Sequence, residues 1–130
     1  MRAHGLGGKG INSVFKATTL AKLTYASPAW WGFANSCDKE RLEAFLRKAI
    51  KAKFYSEDQL SFAELCDKAD QVFFKAIISN PNHVLYSLLP PKHSHGKNLR
   101  KRTHPFILPK KDLKLEESNF LCRLLYKGAY

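Results

Sequence analysis

Four groups of residues in this chain are of types that do chemistry, and their spacing decides whether they can. His93, His95 and His104 could ligate a metal. The H-x-H pair sits among glycine and lysines with no carboxylate or thiolate at ligand spacing, and the nearby cations repel a metal ion. Solvated loop histidines are the expectation. Cys37, Cys66 and Cys122 are an odd, widely spaced set without a C-x-x-C pair, so they read as reduced thiols rather than zinc ligands or a disulfide framework. Asp67 and Asp70 lie on one helix, whereas two-metal chemistry needs carboxylates converging from separate elements; both read as solvated surface groups. Gly5, Gly7, Gly8 and Gly10 with Lys9 lack the G-x-x-x-x-G-K-[ST] order and the preceding strand of a phosphate loop. No nucleophile, base and orienting group come together. Read from its residues, the chain has no active site, metal or cofactor.

What remains is charge. Over 130 residues, 22 Lys and Arg against 11 Asp and Glu give a net charge of +11. Such an excess draws polyanions, and each Lys or Arg that meets a phosphate releases a counterion, giving salt-dependent, sequence-blind binding. The candidate nucleic-acid-binding residues are Arg41, Arg47, Lys48 and Lys51 on one helix, with Arg100, Lys101, Arg102, Lys110 and Lys111 in a later basic segment. A solvated face, or a nuclear-import signal at K-N-L-R-K-R, is the alternative use of the same charges.

The elements that must position these charges are mostly helical, and 45% hydrophobic residues are enough for a core. Residues 1–10 hold four of the seven glycines and are expected to be flexible. A helix is expected from Ile11 to Ala26; at Pro28 it either kinks or gives way to a new short helix capped by Ser27. Either way Trp30 and Trp31 follow on helical backbone and face the core rather than forming a stacking platform. From Asp38, read as an N-cap, Leu42, Phe45, Leu46, Ala49 and Ile50 recur at amphipathic spacing, opposite the basic face. Ser61 and Glu64 form a capping box, and Phe62, Leu65, Cys66, Ala69, Val72, Phe73, Ala76 and Ile77 trace the next apolar arc. Residues 92–114 carry eight cations against Asp112 alone, with prolines that favour an extended path. Phe106–Leu108 is the one expected strand. A short helix, capped at Ser118, closes the chain.

The predicted fold class is therefore mainly α. Residues 11–89 form a small bundle of three to four helices, 90–117 a basic extended segment, and 118–130 a short helix. The expected core includes Trp30, Trp31, Leu42, Phe45, Leu46, Ile50, Phe62, Leu65 and Phe73. Residues 1–10 have no apolar signal region and no apolar run reaches the length of a membrane span. The expectation is an intracellular protein of cytoplasm or nucleus, not secreted, with no membrane partner.

Several motifs occur in one order: Y-A-S-P-A-W-W-G-F (25–33), D-x-x-R-L-E-A-F-L-R (38–47), S-F-A-E-L-C (61–66), N-P-N-H-V-L (80–85), L-L-P-P (88–91), N-L-R (98–100) and N-F-L-C-R-L-L-Y-K (119–127). That order resembles the C-terminal end of reverse transcriptases of non-LTR (LINE-type) retrotransposons, from about Arg2 to Tyr130. Lys101 departs from it, standing where proline is expected. The resemblance implies a thumb-like and post-thumb region that holds an RNA/DNA hybrid or RNA beside a catalytic palm. The palm's x-D-D carboxylates, which in the parent polymerase would bind Mg2+, do not occur here, so the chain alone is expected to be non-catalytic. It looks like a 5′-truncated copy, or a reading frame begun at an internal methionine. The alternatives are a domesticated helical interaction module, associating with the parent polymerase or itself, and a remnant without function.

Overall fold

A computed structural model describes residues 5–94 and 103–129. The chain is mainly α, as the periodicity predicts. The helices are α1 (Gly8–Phe15), α2 (Ala21–Leu23), α3 (Ser27–Trp30), α4 (Ser36–Lys51), α5 (Phe62–Ser79), α6 (Lys114–Ser118) and α7 (Phe120–Lys127). A π-helical stretch, Lys16–Leu20, joins α1 to α2, and a 3₁₀ turn, Tyr86–Leu88, follows α5. No strand forms among the described residues. Where one was expected, Phe106 makes a single antiparallel bridge to Lys92. Nor is any described helix long and apolar enough to cross a membrane.

Helix α1 opens at Gly8, inside the stretch expected to be flexible. The helix expected to reach Ala26 ends earlier, at Leu23. Thr18 and Thr24 donate from their hydroxyls to the carbonyls of Val14 (2.7 Å) and Leu20 (2.8 Å), a back-bonding that loosens the helical ladder. Ala26 then adopts φ 50°, which breaks the helix before α3. Because α3 is only four residues long, Trp30 is helical but Trp31 lies in the turn after it.

Two caps also fall one or more residues away from their expected places. Asn35, not Asp38, caps α4: its side chain accepts the Asp38 N–H at 2.8 Å. Asp38 instead sits in the first turn, where the helix dipole favours its charge. Asn119, not Ser118, caps α7 by accepting from the Leu121 N–H at 3.0 Å. The Ser61–Glu64 capping box forms as read, with bonds of 2.8 and 3.3 Å.

The chain divides into two compact units, residues 1–27 with 34–68, and residues 28–33 with 69–130. In the first, Ile11, Phe15, Leu20, Leu46, Ala49, Tyr55, Phe62 and Cys66 are buried. Phe15 lies 6.3 Å from both Phe45 and Phe54 with nearly parallel rings, and 5.9 Å from Tyr55. Such aromatic contacts add to simple burial. The Glu43 carboxylate accepts from the Ala63 N–H at 2.9 Å, fastening α4 to the first turn of α5.

In the second unit Phe74, Phe106, Leu124 and Leu125 are buried together, with Ile78, Leu89, Leu108, Phe120 and Leu121 packed around them. His104, expected in solvent, is buried in this unit. Its Nε2 lies 2.7 Å from the Leu125 carbonyl, and its Nδ1 accepts from the Phe106 N–H at 3.3 Å. A carbonyl can only accept, so Nε2 carries the proton and the ring is the neutral tautomer. Thr103 adds bonds from its N–H and hydroxyl to the Gly128 carbonyl. These contacts hold Thr103–Phe106 against the end of α7.

Candidate nucleic-acid interface

The α4 sequence places two faces back to back. At about 100° per residue, Leu42, Leu46 and Ala49 share one direction, and Arg41, Arg47, Lys48 and Lys51 spread over an arc of about 120° on the far side. Leu46 and Ala49 are buried, Leu42 and Ile50 are half-buried, and all four cations are exposed. Arg41 lies 4.0 Å from Asp38, a solvent-screened contact one turn away. No carboxylate pairs with Arg47, Lys48 or Lys51 among the described residues.

The other basic candidates come from later in the chain. Lys110 and Lys111 belong to the second unit, where both are exposed. The Lys111 ammonium lies 3.8 Å from the centroid of the Tyr126 ring, a cation–π contact. Arg100, Lys101 and Arg102 lie outside the described residues, as does His95. His93 is exposed, as expected.

Several core assignments change. Phe62 is fully buried, and Leu65 and Phe73 are half-buried. Phe45, assigned to the core, is 41% exposed. It stands about 70° from the centre of the Leu42–Leu46–Ala49 stripe and only about 40° from Arg41, so it borders the basic face. There it lines an open groove of about 440 Å³ with Ile11, Phe15, Lys48, Ala49 and Phe54. Trp30 and Trp31, also assigned to the core, are half-buried and meet edge to face at 5.9 Å. Trp30 is the last residue of α3 and Trp31 the first of the turn after it.

The groove owes its far wall to the end of α4. The Phe54 N–H bonds to the Ala49 carbonyl and the Lys53 N–H to that of Ile50, both at 2.9 Å. This is a Schellman motif, with Lys53 in the left-handed position (φ 59°) where glycine is usual. It folds Phe54 back beside Ala49, along the groove.

Asp70 overturns another expectation. It is 1% exposed, and its Oδ2 accepts from Arg123 Nη1 at 2.7 Å. Arg123 Nη2 also donates to the Pro28 carbonyl at 3.4 Å. The buried positions of α5 are Phe62, Cys66, Asp70, Phe74 and Ile77, an arc centred about 70° from the predicted one. Asp70 falls near its middle, whereas Val72, expected inside, is 62% exposed. The signal in the sequence was the i, i+4 ladder from Phe62 to Phe74, with Asp70 as its one polar rung. Among the described residues no three His, Cys, Asp or Glu side chains gather into a possible metal site. Cys37 is exposed, Cys66 buried and Cys122 half-buried, and all three are free thiols.

No protein-family model matches the chain, and neither curated proteins nor solved structures give a match.

Proposed function

We propose that the chain is a thumb-like, C-terminal fragment of a non-LTR retrotransposon reverse transcriptase, non-catalytic alone, which binds RNA/DNA hybrid or RNA through the basic face of α4. The observation that carries this reading is the row of exposed cations, Arg41, Arg47, Lys48 and Lys51, on the side of α4 opposite Leu46 and Ala49. The net charge of +11 and the order of the sequence motifs support it. Phosphates meeting such a face release counterions, so binding falls steeply with salt. Lys110, Lys111 and Arg100–Arg102 add to the attraction.

The test is binding of an RNA/DNA hybrid across a salt series. The parent chain should lose affinity by orders of magnitude between low and physiological salt. The Arg47→Glu, Lys48→Glu, Lys51→Glu variant should lose binding while its helical circular dichroism persists. If that variant bound as tightly as the parent, this face would not be the interface. Salt-independent self-association, with no hybrid bound, would favour an interaction module instead.

A further inference from the structure

We infer that the aromatic groove beside the basic face of α4 receives an unpaired nucleobase, so that this chain binds single-stranded nucleic acid by its bases as well as its phosphates. The inference rests on the nucleic-acid reading above and goes beyond it, because counterion release alone is indifferent to the bases.

The groove is lined by three phenylalanine rings and one cation, Lys48. Phe45 forms one wall and is open to solvent over 41% of its surface. The ring of buried Phe15 lies 6.3 Å from Phe45 and 6.3 Å from Phe54, with interplanar angles of 21° and 18°. A volume of about 440 Å³ lies within the range of small-molecule sites. Arg41 stands four residues before Phe45 and Lys48 three after, on the same side of the helix. At about 1.5 Å rise per residue, the cations lie about 6 and about 4.5 Å along the axis from the ring. A single strand presents the same alternation of phosphate, base and phosphate.

Base-stacking rings must be exposed and flanked by charge that tracks the backbone, and Phe45 meets both conditions. In a paired duplex the bases are stacked inside the helix, so only an unpaired base can enter. The cationic rim opposes a second copy of this +11 chain and favours a polyanion. The unmatched bases of a template or the end of a strand are the chemistry that fits.

The experiment uses the full chain and a short single strand carrying a fluorescent purine analogue, compared at fixed salt with the same strand made abasic. The base-bearing strand should bind about tenfold more tightly, in line with the worth of one stacked base, and the analogue's emission should be quenched on binding. Phe45→Ala should abolish that difference, and Phe45→Trp should preserve it. If the unaltered chain bound the abasic strand as tightly as the base-bearing one, the groove would not be a base site, even though phosphate binding stood. That comparison needs no variant, so a misfolded Phe45→Ala protein could not obscure it. If the chain bound neither strand nor hybrid, the nucleic-acid reading would fall and take this inference with it. An acidic aromatic peptide that bound in a Phe45-dependent way, while both strands bound alike, would give the groove to a protein partner and overturn the proposal.

Discussion

Arg123 on α7 donates to Asp70 on α5 across 53 positions of sequence, at 2.7 Å, and the carboxylate is shut away from solvent. The pair is incompletely satisfied: among the described residues, Asp70 Oδ1 and Arg123 Nε have no hydrogen-bond partner. Removing one partner leaves a buried charge unpaired, so Asp70→Ala should cost about 3–5 kcal/mol of stability. Replacing both with apolar residues, as in Asp70→Leu with Arg123→Met, should cost less than either single change. Urea unfolding of the three variants measures this. A double variant weaker than both singles would mean that the pair stabilises the fold outright.

Gly32, next to Trp31 in the turn after α3, admits no side chain. A Cβ placed there would collide with the Ser118 carbonyl oxygen and come within 2.5 Å of Arg123 Nε. One obstacle is backbone and cannot rotate away. Gly32→Ala is expected to destabilise the chain by about 1–3 kcal/mol. Gly7→Ala, where the added atom meets nothing within 4 Å, is the control. Equal melting temperatures for the two would contradict the close approach.

Lys53 holds the left-handed position of the α4 Schellman motif without being glycine. A residue with a Cβ carries a conformational cost of about 1–2 kcal/mol there. Lys53→Gly should therefore raise the stability, by about 1 kcal/mol after the added freedom of the unfolded chain is counted. A lower denaturation midpoint would show that the lysine side chain makes up the difference.

Tyr55 is buried, and its hydroxyl donates to the Leu60 carbonyl at 3.0 Å. Burial, and then the Glu64 carboxylate, raise its phenol above the ordinary value of 10.0. The folded state therefore keeps a proton that the unfolded chain gives up first. Its contribution is fully present below pH 10.0, and is lost as pH rises through the folded value. Tyr55→Phe should lose about 0.5–1.5 kcal/mol at neutral pH with its hydrogen bond, and show a shallower alkaline decline than the parent. Equal alkaline slopes in the two proteins would assign the linkage to another group.

The all-α class, the Ser61 capping box and the back-to-back faces of α4 were legible because each is a local, periodic signal. Periodicity does not decide features that depend on a contact far off in sequence or on two residues competing for one role. Asp70 reads as surface because carboxylates are rarely buried unpaired, and its partner follows 53 residues later. Without Asp70, the apolar pattern of α5 centres about 70° away from the buried arc and takes in the exposed Val72. His104 is buried for a similar reason, since both its partners, Leu125 and Phe106, depend on how the second unit packs. Asn35 and Asp38 are equally good caps by type, and only the path of the chain selects the first. Phe45 sits at the margin between stripe and basic face, where periodicity does not decide exposure.

Arg123 also ties its own helix to Pro28, 95 residues earlier. During synthesis from the N-terminus, the segments of the first unit are all present once Lys68 has emerged. Pro28–Phe33 and the later part of α5 must wait for α7 before their shared arginine exists. Closing loops of that length carries an entropic cost before the contact can repay it. Although the chain is helical, its second unit should then refold at a rate set by distant contacts rather than by helix formation. Its apolar residues remain open to aggregation until the last helix is made.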